Sequence, residues 1–528
     1  MIEFLSAKEV VEKYFKDDIT MISVGMTLSC VCEEILKAIE DSFLEKGHPK
    51  DITLYHSAGQ CDRKTGIQRL AHEGLLKKII GGHWGLSPGL MSLISENKVL
   101  AYCIPQGQGA QLVRSIACGL PGKISKVGLG TFIDPRIEGG KMNDLTKRNE
   151  DYVRLVNFED EEYLFYPAVK FDIALIRGTT ADEKGNISTE EEGMLMENLP
   201  AALATRRYGG KVIVQVKRLV KYGSMDPKKV KIPGVHVDAI VVCTDPDNYH
   251  RQTSSWVYNP AYSGQEKMLL NSLSPYPLNI RKVIGRRAML ELKPNSIINL
   301  GTGIPNDVIG PIAFEEKVTD LITVTLESGI YGGVPAGGID FGIAANTDAM
   351  ITHDAQFDFY NGVGVDFTFM GAGEMDEEGN VNSTKFGGSS PGAGGFIDIT
   401  SNAKNVIFCS SFNAKGLEVG FKKNRINIIR EGTLKKLVKK VKQISFNGKI
   451  SSQKGQNVLF ITERAVFKIV KEGVMLVEIA DGIDLKRDVL DLMEFRPIIS
   501  KELKIMDKSI YNEDSFGLRQ FLEKPKLN

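Results

Sequence analysis

Ile322-Thr-Val-Thr-Leu-Glu-Ser-Gly329 is a five-residue β-run that stops on an acid, a serine and a glycine. Threonine and valine between isoleucine and leucine favour a buried extended strand, and the glycine permits a tight turn after it. The first half of the chain carries the same pattern as Ile52-Thr-Leu-Tyr-His-Ser-Ala-Gly59. Upstream of Ile322, residues 283–292 have helical spacing, Ser296-Ile-Ile-Asn-Leu-Gly301 reads as a strand ending on glycine, and residues 307–316 read as a helix. Upstream of Ile52 the order is the same: Val10-Val-Glu-Lys-Tyr14 in a helix, Ile19-Thr-Met-Ile-Ser-Val-Gly25 as a strand, and a helix over 32–43.

The match continues downstream. Phe171-Asp-Ile-Ala-Leu-Ile-Arg-Gly178 precedes Asp182-Glu-Lys-Gly-Asn-Ile187, and Val365-Asp-Phe-Thr-Phe-Met-Gly371 precedes Asp376-Glu-Glu-Gly-Asn-Val381. Each E-x-G-N is a turn in which glycine and asparagine are available for positive φ. Each half then has one more apolar strand, Lys211-Val-Ile-Val-Gln-Val216 and Asn405-Val-Ile-Phe-Cys409. Strands that are near-continuous apolar runs, alternating with helices, predict parallel sheets covered on both faces. The expected fold is therefore α/β: two similar open domains with parallel-rich sheets covered by helices, an internal duplication. The expected division is 1–262, a link over 263–277 broken by Ser274-Pro-Tyr-Pro277, and 278–528. The basic run at 435–442 (KKLVKKVK) reads as a solvated helix face.

The 528 residues are too many for one core and agree with two domains. Lysine plus arginine and aspartate plus glutamate each number 66, so no net charge draws the protein to nucleic acid or to an acidic membrane surface. No apolar run reaches the roughly 18 residues that span a bilayer, and residues 1–16 lack the apolar core of a signal peptide. Seven scattered cysteines without a C-x-x-C pair suit a reducing compartment, and the dispersed histidines lack metal-ligand spacing. The expectation is a cytoplasmic protein with a small-molecule substrate and no metal.

Aligning the halves sets Ser57 opposite Glu327. Ligands of open α/β sheets gather at the carboxyl ends of strands, so both positions are expected to face a crevice, and only the second half placed a carboxylate there. Three glycine-rich segments surround that acid in the sequence. Gly301-Thr-Gly303-Ile-Pro305 opens a helix, where free N–H groups can hold an anion. Tyr331-Gly-Gly-Val-Pro-Ala-Gly-Gly338 follows Glu327, and Gly387-Gly-Ser-Ser-Pro-Gly-Ala-Gly-Gly395 precedes Phe396. Such loops let the backbone approach a ligand and offer N–H donors to an oxyanion. Gly301-Thr-Gly303 lacks the third glycine of a dinucleotide fingerprint, which disfavours a nicotinamide enzyme.

These residues resemble the family I CoA-transferases, in particular the bacterial acetate/propionate type with both halves fused in one chain. The resemblance spans essentially the whole sequence. It rests on Pro105-Gln106-Gly107, Val127-Gly-Leu-Gly-Thr-Phe-Ile-Asp-Pro135 and Gly139-Gly-Lys-Met-Asn143 in the first half. In the second half it rests on Gly301-Thr-Gly-Ile-Pro305, Glu327-Ser-Gly329, Gly392-Ala-Gly-Gly-Phe396, Ile461-Thr-Glu-Arg464 and Met493-Glu-Phe-Arg-Pro497. The family's S-E-N-G is here Leu-Glu-Ser-Gly. The resemblance implies transfer of CoA from a short-chain acyl-CoA to a free acid, ping-pong, through a Glu327–CoA thioester. It implies that Gln106 and the N–H groups of Gly394 and Gly395 are oxyanion donors. The segment containing Gly301 and Gly303, with Gly392, would lie against CoA. It further implies a site between the halves, no permanently bound cofactor, and a homodimer or homotetramer. The alternatives left by the sequence are a thioesterase using the same glutamate and a non-catalytic ligand-sensing or scaffold protein of related fold. Acetate, propionate, butyrate, lactate and acetoacetate all remain open as acyl groups.

Overall fold

The first half builds a sheet of eight strands from its apolar runs. They are β1 (Glu3–Phe4), β2 (Thr20–Ser23), β3 (Ile52–His56), β4 (Leu76–Gly81), β5 (Leu100–Cys103), β6 (Ile173–Arg177), β7 (Lys211–Val216) and β8 (Ala239–Val242). Their order in space is β1-β8-β7-β6-β2-β3-β4-β5, and every neighbouring pair is parallel. All five residues of β3 and of β6 are buried, as expected where helices cover both faces of a parallel sheet. This structure, a computed structural model, describes residues 2–269, 275–422 and 424–524.

The second sheet has ten strands: β9 (Ser296–Leu300), β10 (Ile322–Leu326), β11 (Ile330–Tyr331), β12 (Ala349–Met350), β13 (Phe367–Gly371), β14 (Asn405–Cys409), β15 (Asn457–Ile461), β16 (Ala465–Val470), β17 (Gly473–Ile479) and β18 (Ile498–Ile505). They run β12-β11-β10-β9-β13-β14-β15-β16-β17-β18. The five central strands, β10-β9-β13-β14-β15, are parallel, and antiparallel pairs join them on either flank. The duplication is visible in the topology: β7-β6-β2-β3 of the first half and β14-β13-β9-β10 of the second are the matched strands in the same spatial order.

The paired turns repeat down to their side chains. Gly185 and Gly379 take φ of +78° and +76°. Asp182 Oδ1 accepts from the N–H groups of Lys184 and Asn186, and Asp376 Oδ1 accepts from those of Glu378 and Asn380. Asn186 and Asn380 do not use positive φ; each side-chain Oδ1 instead accepts a distant glycine N–H, from Gly234 and Gly448.

Eight helices matter for the site: α1 (Ala7–Tyr14), α2 (Glu33–Lys46), α3 (Gln106–Ala117), α4 (Asn198–Arg207), α5 (Ile280–Met289), α6 (Gly310–Glu315), α7 (His353–Asn361) and α8 (Phe396–Asn402). A capping box between Ser6 and Glu9 starts α1, and left-handed Gly47 ends α2. Two expectations need correction. The helix read over 307–316 opens with a π-helical turn, Pro305–Ile309, before α6. Pro311 has no N–H to donate to the carbonyl four residues back, so the ladder widens there. The basic run at 435–442 is not a helix. Its backbone pairs on both sides with Met375 (Met375 N–H to Lys436 O 2.8 Å, Val438 N–H to Met375 O 2.9 Å), and Leu437 and Val441 are buried. Those tertiary contacts hold it extended whatever its helical spacing. The two sheets draw on residues 3–242 and 296–505 alone. Of the link read over 263–277, residues 270–274, including Ser274, lie outside the described residues.

Candidate active site

A cavity of about 530 Å³ opens between the two halves. Six of the seven expected site residues line it: Gln106, Gly301, Glu327, Gly392, Gly394 and Gly395. Gly303 does not, and has open space where a side chain would be. Ser57 is also absent from the wall, contrary to the expectation that both strand ends face a crevice. It is 1% exposed, because the extra first-half segment lays Gly82 and α3 across that end of the sheet.

Glu327 follows the last residue of β10. The turn beneath it is fixed by Gly329, at φ +96°, where a Cβ would sit 2.0 Å from the Ile351 carbonyl oxygen; no other residue fits. Ser328 Oγ donates to the Gly342 carbonyl and pins the next residue. Below the acid a polar cluster joins three strands to α7. Asn299 Nδ2 donates to Tyr360 Oη (3.1 Å), Tyr360 Oη to Thr325 Oγ1 (2.9 Å), and Thr368 Oγ1 to Asn299 Oδ1 (3.1 Å). Glu327 is 7% exposed, and its Oε2 has no hydrogen-bond partner among the described residues. Burial pushes its pKa from an ordinary 4.5 to about 7, against smaller opposing pulls from its own backbone N–H and from His353. Near neutrality this group is available both as a carboxylate and as an acid.

Gln106 is the first residue of α3 and is 2% exposed. The second half holds it three ways. Its N–H donates to the Gly394 carbonyl (2.9 Å), and its side-chain Nε2 meets His353 Nε2 (2.9 Å). Asp398 of α8 caps the helix beside it, accepting from Gly107 N–H (2.9 Å) and Gln108 Nε2 (2.8 Å). Burial raises the Asp398 carboxyl to about 6, although these donors favour its charge. His353 Nδ1 in turn lies 2.6 Å from Glu197 Oε2. Burial opposes charge on both members, but their mutual attraction outweighs it: the His353 pKa rises and that of Glu197 falls. The Ser57 hydroxyl lies beside Glu197 without a well-formed hydrogen bond.

The glycine loop of the second half rests on the first half. Gly394 N–H donates to the Gly82 carbonyl (2.9 Å), and Trp84 N–H to the Pro391 carbonyl (2.8 Å). A Cβ on Gly392, at φ +92°, would meet Gly82 O at 2.6 Å. Of the two expected donors, Gly394 thus has its N–H engaged with protein. His83 completes the wall, with burial pushing its pKa to about 4, so it is neutral. Among the described lining residues there is no lysine or arginine. Sequence reasoning missed His353, Glu197 and Asp398. Nothing in their local sequence distinguishes them; only the docking of the two halves brings them to Gln106.

Comparison with known proteins decides the family. Residues 4–243 match the family model described as Coenzyme A transferase. The chain is 44% identical over 530 residues to the caffeate CoA-transferase of Acetobacterium woodii, covering 99% of this chain and 100% of that one. The chain belongs to the CoA-transferase family. It is also 40% identical to the acetate CoA-transferase YdiF of Escherichia coli K12, over 98% of this chain and 96% of that one. The crystal structure of the YdiF apoenzyme from E. coli O157:H7 superposes with a TM-score of 0.92 at 39% identity, covering 98% and 97% of the two chains. A YdiF structure described as a thioester complex with CoA gives 0.90. The protein is thus a CoA-transferase enzyme of the single-chain type, with CoA as its substrate. No helix among the described residues is long and apolar enough to cross a membrane.

Proposed function

We propose that this CoA-transferase works through Glu327 as a covalent nucleophile, with Gln106 and Gly395 N–H as donors to the oxyanions. The observation that carries this reading is that Glu327 is the one carboxylate among the described residues of the cavity wall, buried and with an oxygen left unpartnered. Ionised Glu327 attacks the thioester carbonyl of an acyl-CoA. The tetrahedral intermediate expels CoA thiolate and leaves an acyl-glutamyl anhydride. The thiolate attacks the glutamyl carbonyl, the first acid departs as a carboxylate, and a Glu327–CoA thioester remains. A second carboxylate attacks that thioester and forms a new anhydride; the released thiolate then attacks its acyl carbon. The products are the new acyl-CoA and free Glu327 carboxylate. No net proton is consumed, so the site needs no strong base.

Gly395, Gly301 and Gly392 supply close backbone approach to the thioester end of CoA. The absence of lysine and arginine from the described wall supports monocarboxylic substrates, because a second carboxylate would be desolvated without a counter-charge. That class contains both the acetate and the caffeate named for the two relatives.

The test is covalent capture. After incubation with acetyl-CoA and borohydride, the peptide containing Glu327 changes mass, Glu327→Ala abolishes transfer, and Glu327→Asp loses on the order of a hundredfold in rate because the carboxylate retracts by about 1 Å. Full activity in Glu327→Ala, or a mass change on a cysteine peptide, removes Glu327 from the mechanism. Turnover that does not depend on added acid identifies a thioesterase instead.

A further inference from the structure

Gln106 does not choose its own orientation. A primary amide can present either oxygen or NH2 to a cavity, and its last torsion is soft enough to allow both. In this structure the choice is made by a ring. The amide nitrogen has hydrogens to give and no lone pair to accept with, so its 2.9 Å contact to His353 Nε2 is a hydrogen bond in the neutral ring with that nitrogen bare, the form present above the raised His353 pKa. The ring proton must then sit on Nδ1, which faces Glu197 Oε2 at 2.6 Å.

The ring is not free to turn. The His353 main-chain N–H donates to the Leu195 carbonyl at 2.8 Å, fixing the backbone that carries the ring, and Phe357 packs edge-on at 5.2 Å between ring centres. Glu197 stands at the N-cap of α4 in the first half, and His353 begins α7 in the second. Both side chains are buried, at 1% and 0% exposure, and neither lines the cavity. A buried acid–imidazole pair is weak evidence for stability, because the loss of hydration offsets much of the attraction. Its placement against Gln106 gives it another use.

We propose that Glu197 and His353 are a positioning pair for Gln106, fixing which way its amide faces the reacting carbonyl. Glu197 selects the ring tautomer, the bare Nε2 draws one hydrogen of the Gln106 amide, and the second hydrogen of that NH2 is left for the oxyanion. The inference rests on the roles given above to Glu327 and Gln106. It adds two residues that touch neither substrate nor cofactor.

A double-mutant cycle tests it, because residues acting through one another are not additive. Gln106→Ala should lower kcat about 100-fold, as the loss of one oxyanion donor does elsewhere. His353→Phe should lower it about tenfold or more, with the KM for acyl-CoA within about twofold of wild type. The double variant should be no slower than Gln106→Ala alone. Glu197→Gln, which keeps size and an acceptor, gives a second arm should His353→Phe fail to fold: it should slow the wild type and leave Gln106→Ala unchanged. Independent losses that multiply overturn the pair, as does a KM increase that accounts for the whole effect. The Glu327–CoA adduct is weighed by mass in the same samples. Its absence from wild type refutes the covalent reaction, whereas its presence with multiplying losses refutes only the positioning pair. No loss in Gln106→Ala refutes the role of Gln106 and, with it, this inference.

Discussion

Replacing Glu327 by glutamine should abolish transfer and at the same time make the protein more stable. The carboxyl rises from an ordinary 4.5 to about 7 on folding, with burial as the main cause. A raised carboxyl pKa means that folding is favoured while the group is protonated and loses that advantage as pH rises through 7. Below pH 4.5 the group is neutral in both folded and unfolded chains, so charge gives no difference between wild type and Glu327→Gln. Between pH 4.5 and 7 the wild type accumulates the cost of ionising a buried acid. Above pH 7 that cost levels off at about 3 kcal/mol as an upper figure, since each pKa unit is worth roughly 1.4 kcal/mol. Water in the cavity lowers it, leaving about 1–3 kcal/mol. A domain of 150–250 residues gains roughly 2–4 °C in Tm per kcal/mol. Paired thermal melts at pH 5 and pH 8 read this directly. Glu327→Gln should melt several degrees above wild type at pH 8, with the gap largely closed at pH 5. Equal melting at pH 8, or a gap indifferent to pH, would show that Glu327 is not an ionised buried acid, and the nucleophile assignment would lose its physical basis.

The same pKa sets the rate profile. If the carboxylate is the attacking form, about nine-tenths of it is ionised at pH 8 and about one-tenth at pH 6, so kcat/KM for acyl-CoA should fall about tenfold between them; a flat profile over that range contradicts it. Asp398→Ala leaves the buried Gly107 N–H and Gln108 amide without acceptors, which costs about 1–3 kcal/mol for an unsatisfied group. It should lower Tm and reduce kcat more than KM, because α3 carries Gln106; steady-state kinetics on the folded variant check this.

Strand positions were legible because strands buried on both faces are predominantly apolar, and β3, β6, β10 and β14 fall inside the runs read as strands. The repeated E-x-G-N turns carried equal information, since a left-handed glycine and a capping aspartate are local requirements. The position of Glu327 was legible for a related reason: a strand end and a following glycine are written in neighbouring residues. The environment of Gln106 was not. His353 opens one helix, Glu197 caps another and Asp398 sits in a third, each more than 80 residues from Gln106, and their meeting depends on how the halves dock. The run at 435–442 failed in the opposite direction, because its spacing suits a helix while a distant strand residue, Met375, takes its backbone groups. Likewise Gly394 looked free from sequence, and its N–H is engaged by a carbonyl from the other half.

At the cavity floor the halves are joined through Trp84 and Pro391, Gly394 and Gly82, Gln106 and Gly394, and His353 and Leu195, all by main-chain bonds. Amide and carbonyl groups accompany every residue type apart from the missing donor of proline. Substitution can therefore rewrite most side chains along this seam without cutting it, provided that bulk is not added at Gly82 or Gly392. The main-chain part of this boundary resists drift in sequence better than its side-chain pairs, such as Arg114 with Asp358, and the chamber it closes is inherited as a shape.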